Sequence, residues 1–281
     1  MKWLLIVAAA SLSSAQVTPD PRLRANKNTY SPVMEVLQAR HGRATDEQLE
    51  RLGKMPVEAV WASLQRLGYV NSHVSGMHTT RPGERLVGRA LTMRYLPRRP
   101  DLVAAMEGLA KEGDWSPAYN VRAGEESKPG DVVVVDLGGG IPDGIFWGDI
   151  SATAARAAGA RGAVLYGSTR DYSELKEMAG FPVLAMGFDP RPATQIGVDW
   201  NVPIRVAGAT VIPNDVVFAD DEAVFFFPPS ILPQVLEQCQ RIVDQEDYER
   251  TLTRERRYRF RDVYPLNPEL RRQYEEQRKK Q

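Results

Sequence analysis

Two short stretches of this sequence carry the side chains best suited to chemistry. Residues 148–150 combine a glycine with an aspartate, and a second stretch places Arg170 beside Asp171, with an acid three residues later at Glu174. A helix N-terminus attracts anions, an arginine can donate two parallel hydrogen bonds to one carboxylate, and carboxylate oxygens bind hard cations. Together these residue types suit a small, negatively charged substrate that chelates a metal ion.

The sequence between the two stretches predicts the elements that bring them together. Residues 151–160 are rich in alanine and favour a helix. Residues 161–166 form a short apolar run typical of a buried strand. The resulting order of loop, helix, strand and loop places backbone N–H groups at a helix start near a strand-end arginine and two carboxylates. A glycine-rich loop at residues 138–144 precedes the helix and is expected to cover the site.

These residues resemble the signature of the RraA-like family, which includes the class II 4-hydroxy-4-methyl-2-oxoglutarate (HMG) aldolases that also decarboxylate oxaloacetate. The similarity extends over roughly residues 55–240. It implies a swivelling β/β/α sandwich, hence an α/β fold, assembled as a homotrimer or hexamer with active sites between subunits. It also implies that no lysine forms a Schiff base. The other segments that resemble the family are residues 85–93, 129–136, 180–187, 201–204 and 211–221.

Roles for the candidate residues follow if a small 2-oxo acid chelates one Mg²⁺ ion, or another divalent cation such as Mn²⁺. Asp171 would hold the metal directly or through its waters, and Glu174 could anchor a metal-bound water. The N–H groups of Gly148, Asp149 and Ile150 would bind the substrate carboxylate. Arg170 would face the 2-carbonyl oxygen, where negative charge develops, and Asp149 is the candidate base. The resemblance implies similar roles at the matching positions: substrate binding at residues 148–150, Arg170 on the substrate and Asp171 at the metal.

Structural explanations compete with this interpretation. An Arg-Asp pair after a strand is often a surface ion pair that contributes little stability, and Gly148 could simply permit a turn. The glycines at residues 138–140 resemble a phosphate-binding loop, but the motifs of nucleotide-binding loops are missing around them. His73 and His78 could form a metal pair, although such residues more often line a turn or an interface.

The predicted function is a divalent-metal-dependent carbon–carbon lyase that releases pyruvate, by retro-aldol cleavage of a 4-hydroxy-2-oxo acid, by decarboxylation of oxaloacetate, or by both. The alternative is a non-catalytic regulatory protein of the same family that docks on an RNA-degrading enzyme. The signature at residues 148–150 and at Arg170, Asp171 and Glu174 favours catalysis.

The amino-acid composition limits which kinds of partner and metal site this protein can be expected to have. The 281 residues contain 36 Lys and Arg against 36 Asp and Glu, so the formal net charge is zero and gives no global reason to expect nucleic acid. A single cysteine, Cys239, excludes an intramolecular disulfide and a cysteine-based zinc site. Residues 254–261 interleave arginines with aromatics, which fits either nucleic-acid contact or a tail packed on a neighbouring subunit. Because acids are mixed throughout, the second interpretation is preferred.

The N-terminus has the pattern of a secretory signal: a positive start, an apolar run and small residues that favour cleavage after Ala15. We therefore expect a secreted or periplasmic protein without a membrane span. The predicted organisation is a signal peptide at residues 1–15, an N-terminal arm and helix at 16–54, an RraA-like domain at 55–240 and a charged C-terminal tail at 241–281.

Periodicity predicts the remaining elements. Helices are expected at residues 46–53, 56–68 and 101–112, and a further helix begins near Ile231. Residues 113–128 are polar and rich in turn formers, which predicts a loop. Strands are expected before the active loop, at residues 129–136, and near the end of the domain, at residues 213–227.

Overall fold

The computed structural model describes residues 36–37, 42–111, 119–141 and 144–279. The predicted signal peptide lies outside the described residues, as does most of the N-terminal arm. The elements discussed below belong to one compact unit that spans Arg40–Gln281. No helix in the described ranges combines the length and apolar character needed to cross a membrane.

The described residues form helices and strands that alternate through the middle of the chain. The helices are α1 (Asp46–Leu52), α2 (Val57–Arg66), α3 (Pro100–Lys111), α4 (Tyr119–Glu126), α5 (Asp149–Ala157), α6 (Tyr172–Lys176), α7 (Leu232–Glu255), α8 (Phe260–Val263) and α9 (Pro268–Arg278). The strands are β1 (His73–Ser75), β2 (His78–Thr79), β3 (Leu86–Pro97), β4 (Asp131–Asp136), β5 (Gly162–Thr169), β6 (Val183–Phe188), β7 (Gln195–Trp200), β8 (Ile204–Val206), β9 (Ala209–Val211), β10 (Val216–Ala219) and β11 (Ala223–Phe227).

One large sheet organises the unit, in the order β1-β11-β10-β3-β4-β5-β6-β2. Strands β3 to β6 are parallel, whereas the strands that flank them, and β7 beside the far half of β3, are antiparallel. The edge strands β1 and β2 are joined by Gly76 and Met77 alone. Because two linking residues span about 10 Å at most, the sheet must curl until its two edges nearly meet.

Alternating side chains of β4 fill the cores on both faces of the sheet. Val133 and Val135 pack under α4 and α5, while Val132 and Val134 face the β8–β9 hairpin. A third core lies under α1, α2 and α7, where Phe218 contributes from β10. All four valines are fully buried, as a continuous apolar run in a central parallel strand predicts.

This architecture confirms the predicted α/β fold with N-terminal helices and a C-terminal helical extension. The prediction of a loop over residues 113–128 is wrong for residues 119–126, which form α4. Tyr119 and Ala123 of this helix are fully buried, and Gly124 lies so close to Ala154 of α5 that an added Cβ would be 2.8 Å from the Ala154 side chain. Tertiary packing therefore stabilises a helix that its polar composition conceals.

The C-terminal part is helical and folded against itself. Helix α7 runs without interruption through residues 240 and 241, where a domain boundary was predicted. Leu252 of α7 packs with Val263, Leu266 and Leu270 in a small separate core that holds α8 and α9. The charged C-terminal sequence thus builds its own helical layer within this chain.

Candidate active site

The loop that leads into α5 is fixed to the end of β5. Ile145 forms a parallel bridge with Ser168, and the Phe146 N–H donates to the Ser168 carbonyl at 3.1 Å. The buried Thr169 hydroxyl donates to the Trp147 carbonyl at 3.0 Å. These bonds place Gly148 beside the residues that follow β5.

Asp171 lies directly over Gly148. Its backbone is left-handed, with φ 57° and ψ 45°, and its Oδ2 accepts a hydrogen bond from the Asp149 N–H at 3.2 Å. The Arg170 Nε is 3.4 Å from the same oxygen. A Cβ added to Gly148 would be 1.9 Å from Asp171 Oδ2. The glycine is therefore required for the carboxylate to occupy this position.

The start of α5 offers donors to an anion. Gly148 is its N-cap residue and has no side chain to cap the helix. The first hydrogen bond back into the helix runs from the Ala152 N–H to the Gly148 carbonyl at 3.1 Å. The N–H groups of the first turn, at Asp149, Ile150 and Ser151, have no acceptor within the helix. Asp171 takes the first of these N–H groups, which leaves the next two for a ligand.

A cleft of about 480 Å³ opens at this point and is lined by residues 148–151, Arg170 and Asp171. The structure therefore brings together five of the predicted site residues: Gly148, Asp149, Ile150, Arg170 and Asp171. Glu174 does not line the cleft; it lies on α6 and is exposed. The Ile150 side chain at the cleft mouth is 81% exposed.

Comparison with known proteins agrees with this geometry. Residues 55–225, more than half of the chain, match the RraA-like (Aldolase/RraA) family. The chain belongs to the RraA-like family. The family includes both class II aldolases and RNase inhibitors, and its members are commonly oligomeric.

Two curated relatives of this RraA-like protein match only in part. An uncharacterized protein of Methanocaldococcus jannaschii is 29% identical over 116 residues, which cover 41% of this chain and 55% of the relative. Protein DlpA of Legionella pneumophila is 28% identical over 156 residues, which cover 55% of this chain and 23% of DlpA. The matched segments thus span about half and about a quarter of the two relatives.

Solved structures share the fold over more of the chain. Streptomyces coelicolor RraAS2, described as an unusual member of the RNase ES inhibitor RraA protein family, superposes with a TM-score of 0.64 at 25% identity, covering 74% of this chain and 99% of RraAS2. An uncharacterized protein from Pseudomonas syringae pv. tomato gives a TM-score of 0.67 at 19% identity, covering 81% and 97% of the two chains. At 19% identity, the likeness to the Pseudomonas syringae protein shows a shared fold and nothing more.

The donor set of this RraA-like cleft fits a magnesium ion. Mg²⁺ keeps several of its waters and needs only one or two protein carboxylates. Asp171 offers a half-buried carboxylate whose Oδ2 is already oriented by the Asp149 N–H. Within the described residues, no group of three or more His, Cys, Asp or Glu side chains converges as a protein-only metal cage would require.

Sequence reasoning did not identify the far side of the cleft. Tyr95 and Arg98 come from the end of β3 and the residue after it, Met106 from α3 and Asn120 from α4. The Asn120 side chain donates to the Ser151 hydroxyl at 3.0 Å and so links α4 to the first turn of α5. Burial raises the pKa of Tyr95. A single sequence contains no local signal for these residues, because residues 95–106, Asn120 and the first turn of α5 meet only in the folded chain.

The two histidines that were considered as a metal pair are strand residues of the large sheet. His73 lies in β1 and stacks on Phe225 of β11, with ring centroids 5.6 Å apart. His78 lies in β2 at the opposite end of the strand order and pairs with Ala185. Neither belongs to a metal-binding cluster among the residues described.

Proposed function

We propose that this protein is a divalent-metal-dependent carbon–carbon lyase that acts on small 2-oxo acids and releases pyruvate. The observation that supports this most is the packing of Asp171 onto Gly148, beside Arg170 and the open first turn of α5. A carboxylate, a guanidinium and free backbone donors thus share one cleft. Packing alone does not require this combination.

Substrate binding would use the positive end of α5 and Arg170 for the substrate, and the negative Asp171 for the cation. The free N–H groups of Ile150 and Ser151 would receive the substrate carboxylate, where the helix dipole adds to the attraction. Arg170, which is about half exposed, would donate to the 2-carbonyl oxygen, where negative charge grows as an enolate forms. Asp171 would hold the divalent cation, which when bound would supply Lewis acidity to the chelating 2-oxo acid.

In the retro-aldol reaction Asp149 would act as the base. Its carboxylate would take the proton of the substrate C4 hydroxyl while the C3–C4 bond breaks and the electron pair moves toward C3. The C4 fragment leaves with a new carbonyl group, and protonation at C3 gives pyruvate. In oxaloacetate the bond that breaks releases CO₂, so no hydroxyl proton has to be removed and Asp149 is not needed as a base.

A regulatory function is the alternative, since the family also contains RNase inhibitors and RraAS2 carries that description. A protein that only docks on a partner has no use for a carboxylate held in a left-handed conformation inside a cleft. The two proposals therefore differ in whether the cleft residues matter for what the protein does.

The deciding experiment measures pyruvate release from oxaloacetate and from HMG, with and without Mg²⁺. We expect metal-dependent turnover that chelation by EDTA removes. Arg170→Ala and Asp171→Ala should each lower kcat/KM at least 100-fold, since each removes a charge that is aimed at the reacting group. Arg271→Ala changes an exposed arginine of α9 and serves as the control. Folded protein that releases no pyruvate with any divalent metal would refute the lyase proposal.

A further inference from the structure

The short helix that follows Asp171 determines where its carboxylate lies. Helix α6 has five residues, of which only Leu175 is buried. Its first hydrogen bond runs from the Leu175 N–H back to the Asp171 carbonyl at 2.9 Å. An isolated helix of this length does not persist in water, and the left-handed backbone of Asp171 is disfavoured for a residue that carries a side chain. Asp171 therefore keeps its position only while other parts of the chain hold α6.

Arg81 holds the far end of α6. It lies in the loop between β2 and β3, 95 positions before Lys176. Its Nη1 donates to the Lys176 carbonyl, which is one of the last-turn carbonyls that receive no hydrogen bond within a helix. A positive charge at this end also complements the helix dipole. Arg81 does not line the cleft, so it can influence the site only through α6.

Glu84 fixes Arg81 in this position. One carboxylate oxygen, Oε1, accepts a hydrogen bond from Arg81 Nε at 2.8 Å, and the other accepts one from the Gly180 N–H at 2.9 Å. Gly180 belongs to the turn between α6 and β6. On the other side of this turn, Arg156 of α5 donates to the Ala179 carbonyl at 2.8 Å. The end of α6 and the turn after it are thus held by the β2–β3 loop and by α5.

We propose that Arg81, oriented by Glu84, is a positioning residue for Asp171. It acts through α6 on the carboxylate that lies over Gly148 and that would hold the divalent cation. Without Arg81 the last turn of α6 loses its donor, the Leu175–Asp171 hydrogen bond opens, and the carboxylate leaves its place. The consequence for catalysis rests on the proposed lyase function, whereas the consequence for the position of Asp171 does not.

Hydrogen exchange of the Asp149 amide tests the position of Asp171 in metal-free protein. This amide donates to Asp171 Oδ2 at 3.2 Å, so it exchanges faster when the carboxylate moves away. We expect exchange to be roughly three- to tenfold faster in Arg81→Ala, which is the effect of losing one hydrogen bond. Arg81→Lys keeps a donor for the Lys176 carbonyl and should stay within about twofold of the parent rate.

Two controls separate positioning from a general loss of stability. Arg259→Ala removes another arginine that pairs with an acid three positions later, far along the chain from α6, and should leave Asp149 exchange unchanged. The amides of Val133 and Val134 in the buried strand β4 report opening of the whole unit. Equal acceleration at β4 and at Asp149 in Arg81→Ala would mean that Arg81 stabilises the fold alone, and would overturn the proposal.

Metal binding and turnover are then measured on the same variants. Partners behind a metal ligand affect metal affinity by roughly 10- to 100-fold, so Arg81→Ala should weaken Mn²⁺ binding, followed by electron paramagnetic resonance, about tenfold. The Mg²⁺ concentration that half-saturates oxaloacetate turnover should rise by the same factor. Unchanged Asp149 exchange, or faster exchange with unchanged Mn²⁺ affinity, would overturn the proposed role of Arg81. If the parent protein neither binds Mn²⁺ nor releases pyruvate, the lyase function fails, and the exchange rates alone decide whether Arg81 positions Asp171.

Discussion

Gly148→Ala tests the central contact of the site with a single methyl group. The added Cβ would be 1.9 Å from Asp171 Oδ2 and 3.0 Å from Arg170 Nε. Non-bonded heavy atoms settle near 3.5 Å, so the carboxylate must move by about 1.5 Å. Gly148 has φ −120°, which alanine adopts without strain. The perturbation therefore acts on the position of Asp171 rather than on the backbone.

The expected loss of activity is large and the expected loss of stability is small. A misplacement of about 1 Å in a catalytic site costs about 100-fold in rate, so kcat/KM for oxaloacetate should fall at least 100-fold, or about 2.7 kcal/mol. Folding loses mainly the hydrogen bond from the Asp149 N–H to Asp171, worth about 0.5–1.5 kcal/mol. We expect the melting temperature to fall by about 2–4 °C.

Pyruvate release and thermal unfolding are measured on the same preparations, with Gly208→Ala as the matched control. A Cβ added to Gly208 would have no heavy atom within 4 Å, so this control adds the same methyl group to open space. If Gly148→Ala keeps more than a third of the parent kcat/KM, the position of Asp171 does not control catalysis and the assignment of the site is refuted.

Two further predictions concern carboxylates outside that contact. Burial raises the pKa of Asp215 to about 7, and its Oδ1 has no hydrogen-bond partner among the described residues. Since the folded-state pKa lies above that of the unfolded chain, this group contributes stability below about pH 4 that is lost as the pH rises through 7, roughly 4 kcal/mol in all. Asp215→Asn should flatten this decline, as urea unfolding at pH 5 and pH 8 will measure; an unchanged decline would contradict it. Glu174→Gln should change kcat/KM less than threefold, because Glu174 is exposed and does not line the cleft; a loss comparable with that of Asp171→Ala would instead place Glu174 at the metal.

The part of the site that lies at the start of α5 and the end of β5 could be predicted from the sequence. The alanine-rich run and the apolar run that follows it predict a helix and a strand from periodicity and propensity alone, and α5 and β5 form there. Once those elements are in place, residues 148–150 and Arg170 must lie near each other. The left-handed backbone of Asp171 and its position on Gly148 depend on the bonds between two loops, which no local pattern encodes.

The other half was not predictable because it depends on long-range packing. Helix α4 was taken for a loop since it contains Asn120, Arg122, Gly124 and two glutamates. In the folded chain the Arg122 guanidinium lies 3.7 Å from the centre of the Trp200 ring, so a charged residue belongs to the buried face. A polarity pattern cannot anticipate an arginine that is buried by stacking on an aromatic residue of a strand almost 80 positions away.

Two features of the cleft each cost some stability, and both shape the space where the proposed substrate would bind. The left-handed backbone of Asp171 costs about 1 kcal/mol relative to a right-handed one. The N-cap of α5 is Gly148, which costs only a few tenths of a kcal/mol relative to Ser or Asp, whose side chain would satisfy a backbone donor of the helix. A Ser or Asp side chain there would clash with Asp171 and would also occupy a donor that an anion needs. Small costs that meet at one contact, here Asp171 on Gly148, are consistent with a functional site, and here both keep a carboxylate and free N–H groups facing the same space.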